Sequence, residues 1–187
     1  MSSRLLRATL TLLTGGVLAH ALPLLLGPAL TRLYTPDDFG QYALIWAVAT
    51  NLAVVACARY EFALPLEKSA RGAALLMALC ARLLLATTAA STLLALVLLF
   101  WRDMALAWLL PAGVLAIGAT QWLTLWATRL QRFGPLSAAR LVQQGGGAVL
   151  QVLLGLFTAG PVGLLAGPIV AGLGAAWLLA RPAPQGG

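Results

Sequence analysis

The residues of this chain that could do chemistry are the polar ones set inside long apolar runs. Arg140, Gln144, Gly147, Gln151 and Gly155 recur at steps of three or four, so on a helix they form one stripe. Gln143 lies at its edge, and Val142, Val149 and Leu153 make the opposite side apolar. A guanidinium and two amides in a row can bind an anion or a hydroxyl-rich ligand across a water-filled cavity. The same stripe can equally pack a neighbouring helix, with the small residues admitting it and the amides hydrogen-bonding to it. Arg82 lies about nine residues into its apolar run, roughly 14 Å at 1.5 Å per residue. That depth suits a cavity-facing charge, or an arginine that snorkels to the nearer interface.

Arg59 precedes Glu61 at the end of another run. It either pairs there as an interfacial charge or offers its planar fork to a diphosphate. Arg32 and Tyr34 sit similarly at the far end of the first run, where Arg32 could simply cap a helix's negative end. His20 shares a face with Gly16, Pro23 and Gly27, as a packing residue or a proton carrier. None of this is an enzyme's machinery: the five carboxylates fall in loops or at run ends, and no nucleophile stands with a base. Neither a phosphate-binding nor a dinucleotide fingerprint is present, and the single His belongs to no metal-ligand cluster, so no cofactor or metal is expected.

The elements that carry these residues follow from composition. The 187 residues are 61% hydrophobic and only 9% charged, where soluble domains are nearer a quarter charged. The mean hydropathy is +0.92. Six apolar runs, about 9–30, 39–58, 73–100, 104–127, 136–157 and 162–180, are each close to the ~20 residues that span a bilayer. They read as six transmembrane helices forming a single all-α integral membrane domain over 1–187. A basic head with Ala19-His20-Ala21 also permits a cleaved signal peptide, but the run continues past that point into the next loop. The net charge of +7 does not mark a nucleic-acid binder, because the arginines sit between runs rather than along one helix face. Arg4, Arg7, Arg59, Lys68, Arg71, Arg129, Arg132 and Arg181 fall on one side, against Arg32 and Arg102 on the other. That bias predicts both termini in the cytoplasm. Cys57 and Cys80 then lie near the reducing side, as buried thiols. Trp101, Trp108, Trp122 and Trp126 lie towards run ends, as interface anchors do.

The turn between the first two runs is legible in detail. Thr35 precedes Pro36 and must leave the helical region, Pro36 can open the next helix, and Asp37 and Asp38 suit its positive end. Gly163 and Gly167 form a GxxxG step, a common device of helix association.

The wording of this region carries a further signal. "TRLYTPDDFGQYAL", followed by "ARYEFALPLEKSARGA", resembles the start of the bacterial polysaccharide flippases of the MOP exporter superfamily. "TGGVLAHALPLLLGPAL" upstream and "QRFGPLSAARLVQQGGGAVLQVLLGL" downstream fit the same pattern, so the resemblance runs from about Thr14 to Leu156. Members of that family are usually more than twice this length, with twelve or more spans, so this chain looks like an N-terminal half: one six-helix lobe of the two that enclose a central cavity. The resemblance implies a flippase for undecaprenyl-diphosphate-linked oligosaccharide in the bacterial inner (cytoplasmic) membrane, completed by a second lobe or a homodimer. Arg59 matches the family's Arg-Tyr-Glu signature, which favours its diphosphate reading; with Arg140, Arg82, Gln144, Gln151, Arg32, Tyr34 and His20, read from their positions in and beside the runs, it makes up the candidate substrate cavity. A drug or cation exporter of the same fold, or a non-transporting truncated subunit, are the alternatives.

Overall fold

The computed structural model describes residues 2–56, 69–102, 104–157 and 160–181, with side chains described from residue 13. Nearly all of it is helix. The elements are α1 (Ser2–Leu33), α2 (Pro36–Ala56), α3 (Ala70–Arg102), a 3-10 turn (Ala105–Leu109), α4 (Leu110–Arg129), α5 (Phe133–Arg140), a π turn (Leu141–Gly146), α6 (Gly147–Phe157) and α7 (Pro161–Ala180). No strand occurs among the described residues.

Local chemistry sets the breaks. At the α1–α2 corner, the Asp38 backbone N–H donates to Thr35 Oγ1 at 3.2 Å, and the Asp38 carboxylate accepts from the Thr35 N–H at 2.8 Å. This is a reciprocal capping box, so α2 starts at Pro36 as its sequence predicts. The α4 end is closed by a Schellman turn. Gln131 adopts φ 53°, its N–H donates to Thr128 at 3.0 Å, and the Arg132 N–H donates to Ala127 at 3.0 Å.

Five segments are long and apolar enough to cross a bilayer: Leu13–Leu33, Pro36–Ala56, Ala70–Trp101, Ala105–Arg129 and Pro161–Ala180. These are the mark of a multi-pass membrane protein. The expected fifth span, 136–157, differs from the others. It is not one regular helix but α5, the π turn and α6 in succession, running from beside α7's last turn to beside Tyr34.

α4 and α7 form the middle, with 56% of their span residues buried, against 6% for α1 and 17% for α3. Their shared surface, joined by α2, is the main core: Ile45, Ala49, Leu110, Val114, Ala116, Leu165 and Ile169. Small residues make the close approaches. A Cβ on Gly172 stands 3.2 Å from Ala116 Cβ, and beside this contact Thr120 Oγ1 donates to the Gly172 carbonyl at 3.1 Å. α1 and α3 turn outward large side chains such as Leu24, Leu25, Leu75, Leu85 and Phe100. A leucine-covered exterior around a core of small residues suits lipid solvent.

Candidate functional site

α1 packs on α5, the π turn and α6, while α2 packs on α3, α4 and α7. Between them lies a cavity of about 260 Å³ lined by Pro23 from α1, Tyr42 and Trp46 from α2, Gln143, Gln144, Gly147, Ala148 and Gln151, and Pro168 from α7. Three of the helices that meet here are locally irregular. α1 and α7 each carry an internal proline at this level, and the segment between them is in π geometry. π turns and prolines both loosen the regular hydrogen-bond ladder, and they recur at functional sites.

The π turn decides which amides face the cavity. It closes each ring one residue later than an α-helix, so the strict 3.6-residue stripe slips between Arg140 and Gly147. Gln143, expected at the stripe's edge, lines the cavity beside Gln144. Arg140 instead is exposed and outside the lining. Glycines allow the turn to sit tightly. A Cβ on Gly145 meets Leu22 of α1 at 2.6 Å, and one on Gly147 meets Pro168 Cα at 3.6 Å.

Gln151 is the best-determined polar side chain of the site. Pro168 has no N–H, so the carbonyl of Leu164, four residues earlier, loses its helical partner. Gln151 Nε2 supplies the missing donor at 2.8 Å. The backbone carbonyl of Gln151 in turn accepts from Tyr34 Oη at 2.7 Å. Tyr34 is only 4% exposed, its ring seated where Gly155 and Gly163 lack side chains. A Cβ on Gly155 stands 2.9 Å from that ring, and one on Gly163 stands 2.5 Å from the hydroxyl. The GxxxG step thus serves contacts inside the chain: Gly163 admits Tyr34, and Gly167 admits Gln151, whose Cγ lies 2.7 Å from a Cβ built there. Burial, and then the nearby Asp38 charge, raise the Tyr34 pKa above its usual 10.0, so the phenol stays a neutral donor.

The other sequence-predicted residues lie apart from the cavity. Arg32 is exposed and lines a separate groove with Leu25, Pro28, Ala29, Leu33, Val152 and Leu156. It stands in α1's last turn, where a cation suits the negative end. His20 is exposed, with Nδ1 2.9 Å from the Gly16 carbonyl of its own helix. Arg82 is exposed on α3. Arg59 and Glu61, and with them the Arg-Tyr-Glu signature, lie outside the described residues, as does Cys57. Cys80 is buried.

The chain matches no family model, no curated protein and no solved structure. The reading of the site therefore rests on its own chemistry. Tyr42 and Trp46 are stacked at 5.9 Å and 21°, and they form the aromatic wall opposite the amides. Sequence periodicity passed over both, because an aromatic pair at i, i+4 in a span resembles ordinary packing. Among the described residues, none lining the cavity carries a formal charge. Amide donors and acceptors facing an aromatic wall suit a neutral, hydroxyl-bearing ligand. A second cavity of about 250 Å³ shares Gln143 and adds Thr120, Gln121 and Thr124 from α4.

Proposed function

We propose that this chain forms one wall of a transporter that carries a lipid-linked oligosaccharide across the bacterial inner membrane. The observation that carries the reading is the cavity lined by the uncharged amides Gln143, Gln144 and Gln151 together with Tyr42 and Trp46. Sugar hydroxyls exchange hydrogen bonds with such amides while the lipid tail stays in the bilayer. The diphosphate then falls to arginines outside the cavity, with Arg59 and Arg140 the candidates. Resemblance of the 14–156 region to polysaccharide flippases supports the same cargo. Among the described residues the cavity lining holds no carboxylate, which favours this reading over a cation exporter.

In this proposal the Phe133–Phe157 segment counts as the fifth of six crossings, both termini face the cytoplasm, and a second lobe or a second copy closes the cavity. Expression in a flippase-deficient strain tests it, with the chain alone and with a second-lobe chain. Export restored by wild type and lost in Gln144→Leu and Gln151→Leu, at equal protein levels, is the expected result. Full export by both variants, or none under any pairing, would remove the basis for the reading. Topology has its own check: a cysteine introduced between residues 59 and 71 should resist an impermeant thiol reagent in intact cells, and one at Asp37 should react.

A further inference from the structure

A second site lies at the opposite end of the bundle from Tyr34. There the start of α3, the end of α4 and the end of α7 enclose a groove of about 330 Å³. Its floor is apolar, with Met77, Leu123 and Leu179, and Arg132 and Arg181 stand in its lining. Both arginines are held in place. Arg132 follows the Schellman turn, whose backbone bonds pin it against α4, and its Nη1 lies 3.4 Å from the Leu179 carbonyl at the end of α7. The Arg181 guanidinium lies over the Trp177 ring, its Cζ 3.4 Å from the ring centroid. Among the described residues, neither guanidinium meets a carboxylate.

We propose that this groove binds an anionic phospholipid, with the phosphate between Arg132 and Arg181 and an acyl chain along Met77, Leu123 and Leu179. Three observations select that occupant. Two positioned cations without a described counter-charge call for an anion. The apolar floor leading away from them calls for a ligand whose anion is joined to a hydrocarbon chain. Trp126, in the same lining, is the residue type that sits at headgroup depth. Basic pockets between membrane helices are a recurrent way of holding anionic headgroups. The proposal needs only that the chain is embedded in a bilayer, and it stands or falls independently of the transported cargo.

The test uses the full chain purified in mild detergent, with bound lipid read by native mass spectrometry. The probes are phosphatidylglycerol and phosphatidylcholine with identical acyl chains. At about a fivefold gain per arginine, wild type should prefer phosphatidylglycerol about twenty-five-fold. Arg132→Gln with Arg181→Gln should abolish the preference. Arg71→Gln with Arg129→Gln removes the same charge from the same end and should leave the preference intact. Inorganic phosphate at equal concentration should not displace the lipid. Equal retention of the two lipids by wild type would overturn the proposal, as would a preference that survives the Arg132/Arg181 change. A polyprenyl diphosphate that displaces phosphatidylglycerol at lower concentration would also overturn it, assigning the groove to cargo. Should the double variant fail to fold, Met77→Trp, which fills the apolar floor, must weaken lipid retention for the proposal to hold.

Discussion

The amide cavity and the basic groove lie in one small bundle, and their polar groups are arranged differently. In the cavity every strong hydrogen-bonding group is neutral, and Gln151 is tied on both sides, its side-chain amide to Leu164 and its backbone carbonyl to Tyr34. In the groove the polar groups are full charges, held at the rim by a helix cap and an indole ring rather than by partners of opposite sign. The difference follows from desolvation. An amide deep among helices is tolerable once paired, while an arginine is tolerable where its head reaches water or headgroups. Structural perturbation should therefore be costly around Gln151 and mild around Arg132, and ligand effects should divide the same way.

The largest effect is expected at Gly163. A Cβ there falls against Tyr34 Oη and lies 3.2 Å from Leu154 Cβ. Gly163→Ala must therefore evict the tyrosine or separate α6 from α7. Overpacking together with loss of the buried hydrogen bond should cost about 3 kcal/mol. Thermal unfolding of the purified protein measures it. A variant as stable as wild type would mean that Tyr34 has room to leave its seat without consequence.

The next effect separates a structural amide from a ligand-binding one. Gln151→Leu strands the Leu164 carbonyl, at about 1–3 kcal/mol for a buried unsatisfied group. Pro168→Ala restores the helix's own N–H to that carbonyl. Combining them should make Gln151→Leu nearly harmless, a coupling of about 1–2 kcal/mol in a double-mutant cycle. Additive losses would show that Gln151 does not act through the proline gap. Tyr34→Phe should be milder, about 1 kcal/mol. It also alters the pH response. Because the folded phenol's pKa lies above 10.0, the unfolded chain loses its proton first as pH rises. The contribution of Tyr34 is then full below about pH 10 and lost on passing towards the folded value, so Tyr34→Phe should flatten the alkaline limb of stability against pH.

How much of this was legible in the sequence depends on how local each feature is. Thr35, Pro36 and Asp38 act within one turn, and the helix start they predict is present, closed by a Thr35–Asp38 capping box that the sequence reading did not name. The apolar runs located the long helices because span length is set by the bilayer. Gln144 and Gln151 emerged from a 3.6-residue stripe, and they line the cavity. Gln143, read at the edge of that stripe, lines the cavity, and Arg140, read on the stripe, lies outside the lining, because a π turn changes the period and nothing short of structure announces one. The orphaned Leu164 carbonyl could be read from Pro168 four residues on. Its partner could not, since Gln151 reaches it from another helix. Arg32 and Tyr34, near neighbours in the chain, were grouped together, yet the tyrosine turns into the α6–α7 contact and the arginine turns out. Glycines at 155 and 163 make that inward turn possible, and their purpose is invisible until the ring is seen between them.

The smallest expected effect lies at the basic end and sharpens the comparison from that side. Gln131 holds a left-handed conformation at φ 53°, which costs an ordinary residue roughly 1–2 kcal/mol. Gln131→Gly removes that strain but gives the unfolded chain more freedom, an offset of about 0.5–1 kcal/mol. A net stabilisation of about 0.5 kcal/mol is the expected outcome in thermal unfolding. The cap's bonds from the 131 and 132 backbone N–H groups do not involve the side chain, so Arg132 keeps its place and lipid preference should be unchanged. A destabilised protein would mean that the Gln131 side chain itself holds something at this end. An unchanged stability with a lost lipid preference would mean that the turn's stiffness, rather than its shape, aims Arg132 into the groove.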